Sequence, residues 1–320
     1  MRVVFCGTPL FAVPALKHLV AQPDFEIVAT ITQPDRPRGR GREVTFSPVK
    51  ETALAAGIPV HQPEKIRAPE VQELLQKLAP DVIVIIAYGQ IIPARLLPIP
   101  KLGWINLHAS LLPKYRGAAP INWAIANGET KTGVTSMRID AGMDTGEMLL
   151  QKEMDIGASE TAPELAARMS ELGAPLMAET LLGLAAGTIV ARAQPHEGAS
   201  SAPKLKKEYG RIDWSRPAQE IFNRIRGFAP WPGAYTFFRG QSCHIWGEPA
   251  SNELGEQSAQ QGETGVPGSL LVQRNAAMVC CGDATYLRLL GVKLEGRKQV
   301  SAAEFVNGAH MFSGEHFGET

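Results

Sequence analysis

The sequence predicts a doubly wound, mostly parallel, Rossmann-like α/β sheet followed by a smaller C-terminal β-barrel. Three observations predict it. Strand-like and helix-like runs alternate through the first half of the chain. The continuous run Val82 to Ala87, Val-Ile-Val-Ile-Ile-Ala, reads as a strand buried on both faces. Beyond about Tyr209 the pattern turns to short β-like runs separated by Gly and Pro. At about 150 residues per domain, a chain of 320 residues accommodates two.

Arg2 to Cys6 reads as a buried strand. Phe11 to Ala21 reads as a helix, with Pro14 in its first turn, where a missing N–H costs little. Phe25 to Thr32 is a second strand and Pro69 to Leu78 a helix. Gly103 to Leu107 and Gly133 to Ile139 are further strands, with a helix from Ala119 to Ala126 between them. Thr161 and Glu164 have capping-box spacing, and Leu165, Met169, Leu172 and Leu176 follow on one helical face, as core packing requires. Gln194 to Ser201 is rich in Pro, Gly, Ser and Ala and predicts a linker. The expected division is therefore 1–190, a linker at 191–207, and 208–320. The last part holds one helix, Pro217 to Arg226. Its β runs are Ala234 to Phe238, Ser242 to Trp246, Ser269 to Val272, Ala277 to Cys281 and Tyr286 to Leu290. Glu248 to Gly268 carries four acids and no bases and predicts a loop between two strands.

Composition excludes several classes. Lys+Arg and Asp+Glu are both 32, so the chain does not grip nucleic acid by bulk charge, although local patches stay open. No run approaches the roughly 18 apolar residues of a membrane span, which predicts a cytoplasmic protein. The cysteines, at 6, 243, 280 and 281, form no CxxC, and there is no HExxH, so no metal site is expected. The first strand runs into Gly7-Thr8-Pro9, not GxGxxG, and no GxxxxGK[ST] occurs; dinucleotide and P-loop chemistry lose their sequence support.

The segment Asn106-Leu107-His108-Ala109-Ser110-Leu111-Leu112-Pro113 is the most informative. Asn106 and His108 stand two apart at a strand end and share a face. An amide that can donate to an oxyanion, beside an imidazole that can move a proton, suits acyl transfer. After another strand, Asp140-Ala141-Gly142-Met143-Asp144-Thr145-Gly146 adds two carboxylates; alone, such a loop is equally an ordinary turn. A basic run, Asp35-Arg36-Pro37-Arg38-Gly39-Arg40-Gly41-Arg42, follows the second strand, and arginine forks grip phosphates. Lys204, Lys206, Lys207 and Arg211 form a second cluster, and the C-terminal stretch 206–320 carries 12 basic and 12 acidic residues. Trp231 is either a packing corner or a base-stacking surface.

The two signature segments, Asn106 to Pro113 and Asp140 to Gly146, resemble those of the 10-formyltetrahydrofolate-dependent formyltransferases. The resemblance extends over nearly the whole chain, through Gly7-Thr8-Pro9, Ser47-Pro48-Val49-Lys50, Ala87-Tyr88-Gly89-Gln90-Ile91-Ile92, Ala202-Pro203-Lys204-Leu205, Arg211-Ile212-Asp213-Trp214 and Trp231-Pro232-Gly233-Ala234. Leu10 departs from it, standing where Glu is expected. The resemblance implies an OB-like barrel, a catalytic trio of Asn106, His108 and Asp144, and a protonated His108 that stabilises the oxyanion with Asn106. It implies 10-formyltetrahydrofolate as co-substrate, touched by Ser110, Leu111, Leu112 and Pro113. Tyr88, Gly89, Gln90, Ile91, Ile92 and Asp140 would line the pterin pocket. The segments after residue 200 imply an initiator methionyl-tRNA as acceptor, gripped by Arg36, Arg38, Arg40, Arg42, Lys204, Lys206 and Lys207, and a monomer is the default. Rival readings are a nucleotide-sugar or glycinamide ribonucleotide acceptor, or a non-catalytic RNA-binding protein.

Overall fold

The chain begins with a strand, β1 (Arg2–Gly7), that is buried from Val3 to Cys6. In this computed structural model, residues 1–38, 43–250, 265–274 and 276–318 are described. A short 3-10 turn leads into α1 (Val13–Val20), with Pro14 in its first turn. Gly7 makes the tight exit possible: a Cβ there would lie 2.9 Å from the Phe5 ring and 3.1 Å from the Ile86 carbonyl oxygen. Then follow β2 (Glu26–Ile31), the small hairpin β3 (Arg36–Arg38) and β4 (Glu43–Thr45), α2 (Pro48–Ala55), β5 (Val60–His61), α3 (Pro69–Leu78) and β6 (Val82–Ile86). Ser47 caps α2 by accepting the Lys50 N–H, and Pro48 opens its first turn.

Next come β7 (Trp104–His108), the two-residue β8 (Arg116–Gly117), α4 (Pro120–Ala126), β9 (Lys131–Arg138), β10 (Met148–Asp155), the long α5 (Ala162–Ala185) and β11 (Ser201–Ala202). The main sheet has the order β10-β9-β7-β6-β1-β2-β5. The five strands from β5 to β7 are parallel, as the β-branched run of β6 predicts. β9 and β10 are antiparallel additions. β10 escaped the sequence reading because it is an edge strand, Met-Leu-Leu-Gln-Lys-Glu-Met-Asp, with mostly solvent-facing polar residues.

One face of this sheet packs Val4, Cys6, Ile83, Ile85 and Trp104 with Val71 and Leu75 of α3. Asn106 and His108 share that face by register with Ile85 and by strand alternation. Leu107 points the other way, against α5, whose Gly173 admits it: a Cβ there would sit 2.4 Å from Leu107 Cδ2.

The chain divides into two units. The first is Met1–Pro120, Lys131–Asp155 and Glu164–Pro203; the second is Ile121–Thr130, Ile156–Pro163 and Lys204–Thr320. Residues 192–202, linker-like in composition, are bonded along their length within the first unit. Met148 and Arg192 exchange backbone hydrogen bonds of 2.8 and 2.9 Å, and β11 pairs with β8.

The second unit contains α6 (Ala218–Gly227), β12 (Tyr235–Phe238), β13 (Gln241–Pro249), β14 (Leu270–Gln273), β15 (Ala276–Cys280), β16 (Tyr286–Leu294), β17 (Val300–Ser301) and α7 (Ala302–Gly308). Its antiparallel sheet runs β12-β13-β16-β15-β14, with β17 on β16. The chain end closes it. Phe317 bridges to Phe238 of β12, and His316 bridges to Ser269 just before β14. Both sheet edges are thereby paired, which makes the sheet a small barrel. Inside lie Ile245, Leu270, Val279, Leu287 and Val292, covered by Ile221 and Ile225 of α6 and Phe305 of α7. α7 was missed although Ser301 and Glu304 form a capping box. Within this unit Trp123 of α4 meets Tyr209 and Phe228 edge-on, and Asn122 Nδ2 donates to the Gly227 carbonyl at 2.7 Å. The buried Arg226 donates to the carbonyls of Gly157 and Glu160 at 3.1 and 3.0 Å. The acidic stretch expected as a loop falls largely on 251–264, outside the described residues.

Candidate active site

His108 ends β7 and is buried, at 5% exposure. Its Nε2 lies 2.9 Å from the Tyr115 carbonyl oxygen. A carbonyl can only accept, so Nε2 carries the proton and Nδ1 is the bare nitrogen of the neutral ring. Nδ1 faces Asp144 Oδ2 at 3.7 Å, too long for a hydrogen bond but close enough for charge to matter. Burial pushes the His108 imidazole below the ordinary histidine range, while Asp144 and the Tyr115 carbonyl raise it in part. Burial thus favours the neutral ring at rest. Two residues earlier Asn106 is half-buried, and no hydrogen bond within the described residues engages its side-chain amide.

Asp144 arrives from the β9–β10 loop. Asp140 Oδ1 shapes that loop by accepting the Gly142 N–H at 3.0 Å and the Thr145 hydroxyl at 2.9 Å. Asp144 has φ +54°, a left-handed conformation unusual for a side chain with a Cβ. Its Oδ2 accepts the Gly117 N–H at 2.8 Å. Gly117 must be glycine: its φ is +121°, and a Cβ would come 2.7 Å from the Ala202 carbonyl oxygen.

Ser110 to Pro113 form the wall that follows β7. The buried Ser110 hydroxyl donates to the Lys114 carbonyl at 2.6 Å. Thr135 of β9 donates to the Ser110 carbonyl at 2.6 Å and accepts the Leu112 N–H at 3.2 Å. Gln151 Nε2 donates to the Leu112 carbonyl at 2.9 Å.

The segment after β6 divides its side chains. Tyr88 and Ile92 turn into the core. Burial leaves the Tyr88 hydroxyl unpartnered among the described residues and pushes the phenol up. Ile91 is 83% exposed and Met143, in the β9–β10 loop, 66%. The Gln33 side chain donates to the Tyr88 carbonyl at 3.0 Å, and Gln90 Nε2 donates to Gln33 Oε1 at 3.2 Å. Gly89 allows the turn at φ +92°.

The arginine run opens the β3–β4 hairpin. Arg36 is exposed and pairs with Glu64 at 3.5 Å. Arg38 is placed through its backbone pairing with Glu43. Arg40 and Arg42 lie outside the described residues. The hairpin's root is ordered by Lys50, which donates to Asp35 and, at 2.8 Å, to Gln62 Oε1; the Lys50 bond holds the Asp35 carboxyl below the usual carboxylate range. Lys204, Lys206 and Lys207 are exposed, in the second unit. Trp231 is 53% exposed.

All four cysteines are buried and free, and burial pushes the Cys243 and Cys281 thiols up to about 12. Among the described residues no cluster of three or more His, Cys, Asp and Glu side chains could hold a metal ion, and no helix is long and apolar enough to cross a membrane.

An open α/β sheet with an amide, a neutral imidazole and a carboxylate around one strand end belongs to the class of carbonyl group-transfer enzymes. Comparison with known proteins narrows the class. Residues 1–181 match the formyl transferase family and residues 204–310 match its C-terminal domain. The methionyl-tRNA formyltransferase of Solibacter usitatus is 51% identical over 319 residues, covering 100% of this chain and 99% of that protein. That of Geobacter sulfurreducens is 47% identical over 320 residues, covering 100% and 97%. Two solved structures share the fold. WlaRD, a sugar 3N-formyl transferase in the presence of dTDP and 5-N-formyl-THF, has a TM-score of 0.64 at 18% identity, over 93% of this chain and 99% of that one. HypX from Aquifex aeolicus in complex with tetrahydrofolic acid has 0.60 at 16%, over 96% and 48%. The chain belongs to the formyl transferase family.

Gln194, Thr135, Gln151 and Ser200 shape this site and were not foreseen. None of them stands in a motif, and each becomes visible only once the fold brings it beside Ser110–Pro113 or Asp144.

Proposed function

We propose that this enzyme transfers the formyl group of 10-formyltetrahydrofolate to the α-amino group of an initiator methionyl-tRNA, giving formylmethionyl-tRNA for translation initiation in the cytoplasm. The observation that carries this reading is 51% identity, end to end, to a methionyl-tRNA formyltransferase. Residues 1–190 would hold the folate, through the Ser110–Pro113 wall, the backbone of 88–92 and the loop from Asp140. The exposed apolar side chains of Ile91 and Met143 fit the face of a flat heteroaromatic ring. Residues 208–320, with Lys204, Lys206 and Lys207 before them, and the arm from Arg36 through Arg38 and Arg40 to Arg42 would hold the RNA phosphates.

Bound 10-formyltetrahydrofolate supplies the formyl carbon and the leaving nitrogen. Asn106 donates its amide N–H to the oxygen that gathers negative charge as the amine adds. His108 Nδ1, bare in the resting ring, takes the proton that the amine loses. The Asp144 carboxylate then stabilises the imidazolium, which yields its proton to the leaving nitrogen as the carbon–nitrogen bond breaks. The neutral resting ring suits this order of events better than a permanent cation would.

The test is formylation of initiator against elongator methionyl-tRNA with 10-formyltetrahydrofolate. Selective formylation of the initiator supports the reading. Formylation of a nucleotide-linked amino sugar but of neither tRNA would overturn it.

A further inference from the structure

The segment 192–202 lies against both partners of His108. Gln194 Nε2 donates to the Asp144 carbonyl and to the Gly146 carbonyl, each at 2.8 Å. Gln194 Oε1 accepts from Arg116 Nε at 2.9 Å. Ser200 Oγ accepts the Tyr115 N–H at 2.9 Å, and the Ser200 carbonyl accepts the Arg116 N–H at 2.8 Å. Asp144 and Tyr115 are the residues that meet the two ring nitrogens of His108. Both hold left-handed backbone, φ +54° and +60°, which favours glycine and persists only where neighbours enforce it. One stretch of chain thus anchors both strained residues.

We infer that residues 192–202 form a positioning strap for the catalytic imidazole, with Gln194 fixing Asp144 and Ser200 fixing Tyr115. The inference rests on the proposed roles of His108 and Asp144. Gln194 and Ser200 act through other residues and touch no reacting atom. The Gln194 amide is suited to the task because it can donate twice to carbonyls while its oxygen receives Arg116. Among the described residues Asp144 is the charged group that acts on His108, and the Tyr115 carbonyl is the dipole on its other side. A carboxylate that drifts away from Nδ1 no longer raises the His108 pKa against burial, so the titration of the ring reports whether the strap holds.

The experiment compares Q194E, Q194A, S200A and D144N in the full-length enzyme. Q194E keeps the shape and removes the donors, which separates hydrogen bonding from packing. We measure kcat and KM separately, kcat/KM against pH, the melting temperature, and the NMR titration of the His108 ring, assigned by its absence in H108A. Q194E and Q194A are expected to lower kcat about 10-fold or more through misplacement of a catalytic group. KM should stay within about twofold and the melting temperature close to that of the parent. In Q194A the His108 midpoint should fall towards its value in D144N, whereas the carboxylate added in Q194E opposes that fall. S200A should lower kcat in the same way but less, since Tyr115 keeps its pairing through Arg116. An unchanged kcat and His108 midpoint in both Gln194 variants overturns the strap, as does a loss of kcat that only follows a loss of melting temperature. If the Gln194 variants move the midpoint while D144N keeps full kcat, the strap stands and Asp144 leaves the catalytic trio.

Discussion

Replacing Thr135 by valine removes one buried hydroxyl and almost no volume, which makes it a sharp test of how the wall after β7 is held. Thr135 is fully buried, and its hydroxyl serves three groups at once: the Ser110 carbonyl at 2.6 Å, the Leu112 N–H at 3.2 Å and Gln151 Nε2 at 3.0 Å. In T135V the Ser110 carbonyl and the Leu112 N–H lose that partner, at about 1–3 kcal/mol each. Gln151 loses less, because it keeps the Leu112 carbonyl at 2.9 Å. The combined cost is about 2–6 kcal/mol. Relaxation of the wall favours the lower end, which for a unit of this size still means a melting temperature lower by roughly 5 °C. On the proposal that the wall holds the donor while Asn106 and His108 sit on the strand itself, the same slackening should raise KM for the formyl donor more than it lowers kcat. T135S restores the hydroxyl and should recover both quantities. The assay is a thermal melt with and without the donor, paired with donor-saturation kinetics. A T135V protein that melts within about 1 °C of the parent and keeps its donor KM would refute the claim that this hydroxyl organises the wall.

Asn106→Ala, His108→Ala and Asp144→Ala should each lower kcat by about 10²-fold or more with the far-ultraviolet circular dichroism unchanged; near-parental turnover in all three would remove the trio from catalysis. The pH dependence has a definite sign: because burial lowers the folded His108 pKa, the basic ring is present down to pH values below the ordinary histidine range, and the acid limb of kcat/KM should lie there. The unfolded chain binds that proton more readily, so His108 contributes stability that is complete above about pH 6.5 and declines as the pH falls from there toward the folded pKa, a trend that H108A should lose in acid-unfolding titrations. Replacing Arg36, Arg38, Arg40 and Arg42 together should weaken tRNA use and flatten its dependence on salt, and an unchanged salt slope would take the arm out of the interface.

The parts of the fold that announce themselves in sequence are those whose burial follows a regular pattern. β6 is five β-branched residues in a row because both of its faces are covered, and Asn106 and His108 share a face because strands alternate. Edge strands give no such signal: β10 is polar because solvent takes one side of it, and it entered the sheet unannounced. The division of the chain was harder still to read. Helix α4 looks like one more crossover of the α/β sheet, yet residues 121–130 and 156–163 belong to the second unit. The reasons are tertiary: Trp123 packs on Tyr209 and Phe228, and Arg226 reaches the carbonyls of Gly157 and Glu160. A chain cut near residue 200 would strip those residues of their partners while leaving every sequence motif of the first unit intact.

The site shows the same divide between residues proposed to react and residues proposed to hold. Asn106, His108 and Asp144 are legible because an amide, an imidazole and a carboxylate at strand ends carry a chemical signature. Gln194 and Ser200 sit in a stretch whose composition says only that no helix or strand is favoured. That composition has a physical use. A strap that must follow the contours of two loops needs irregular backbone between its paired ends and polar side chains that reach neighbouring carbonyls and amides. Low regularity in the sequence and high specificity in the bonding are therefore two views of one requirement. The charge ledger behaves alike. Equal totals of acid and base say nothing about a local arm of arginines rooted by Lys50, Asp35 and Gln62. A neutral enzyme that must release its RNA product has reason to concentrate its cations where phosphates pass, because each added phosphate contact slows that release as surely as it speeds capture.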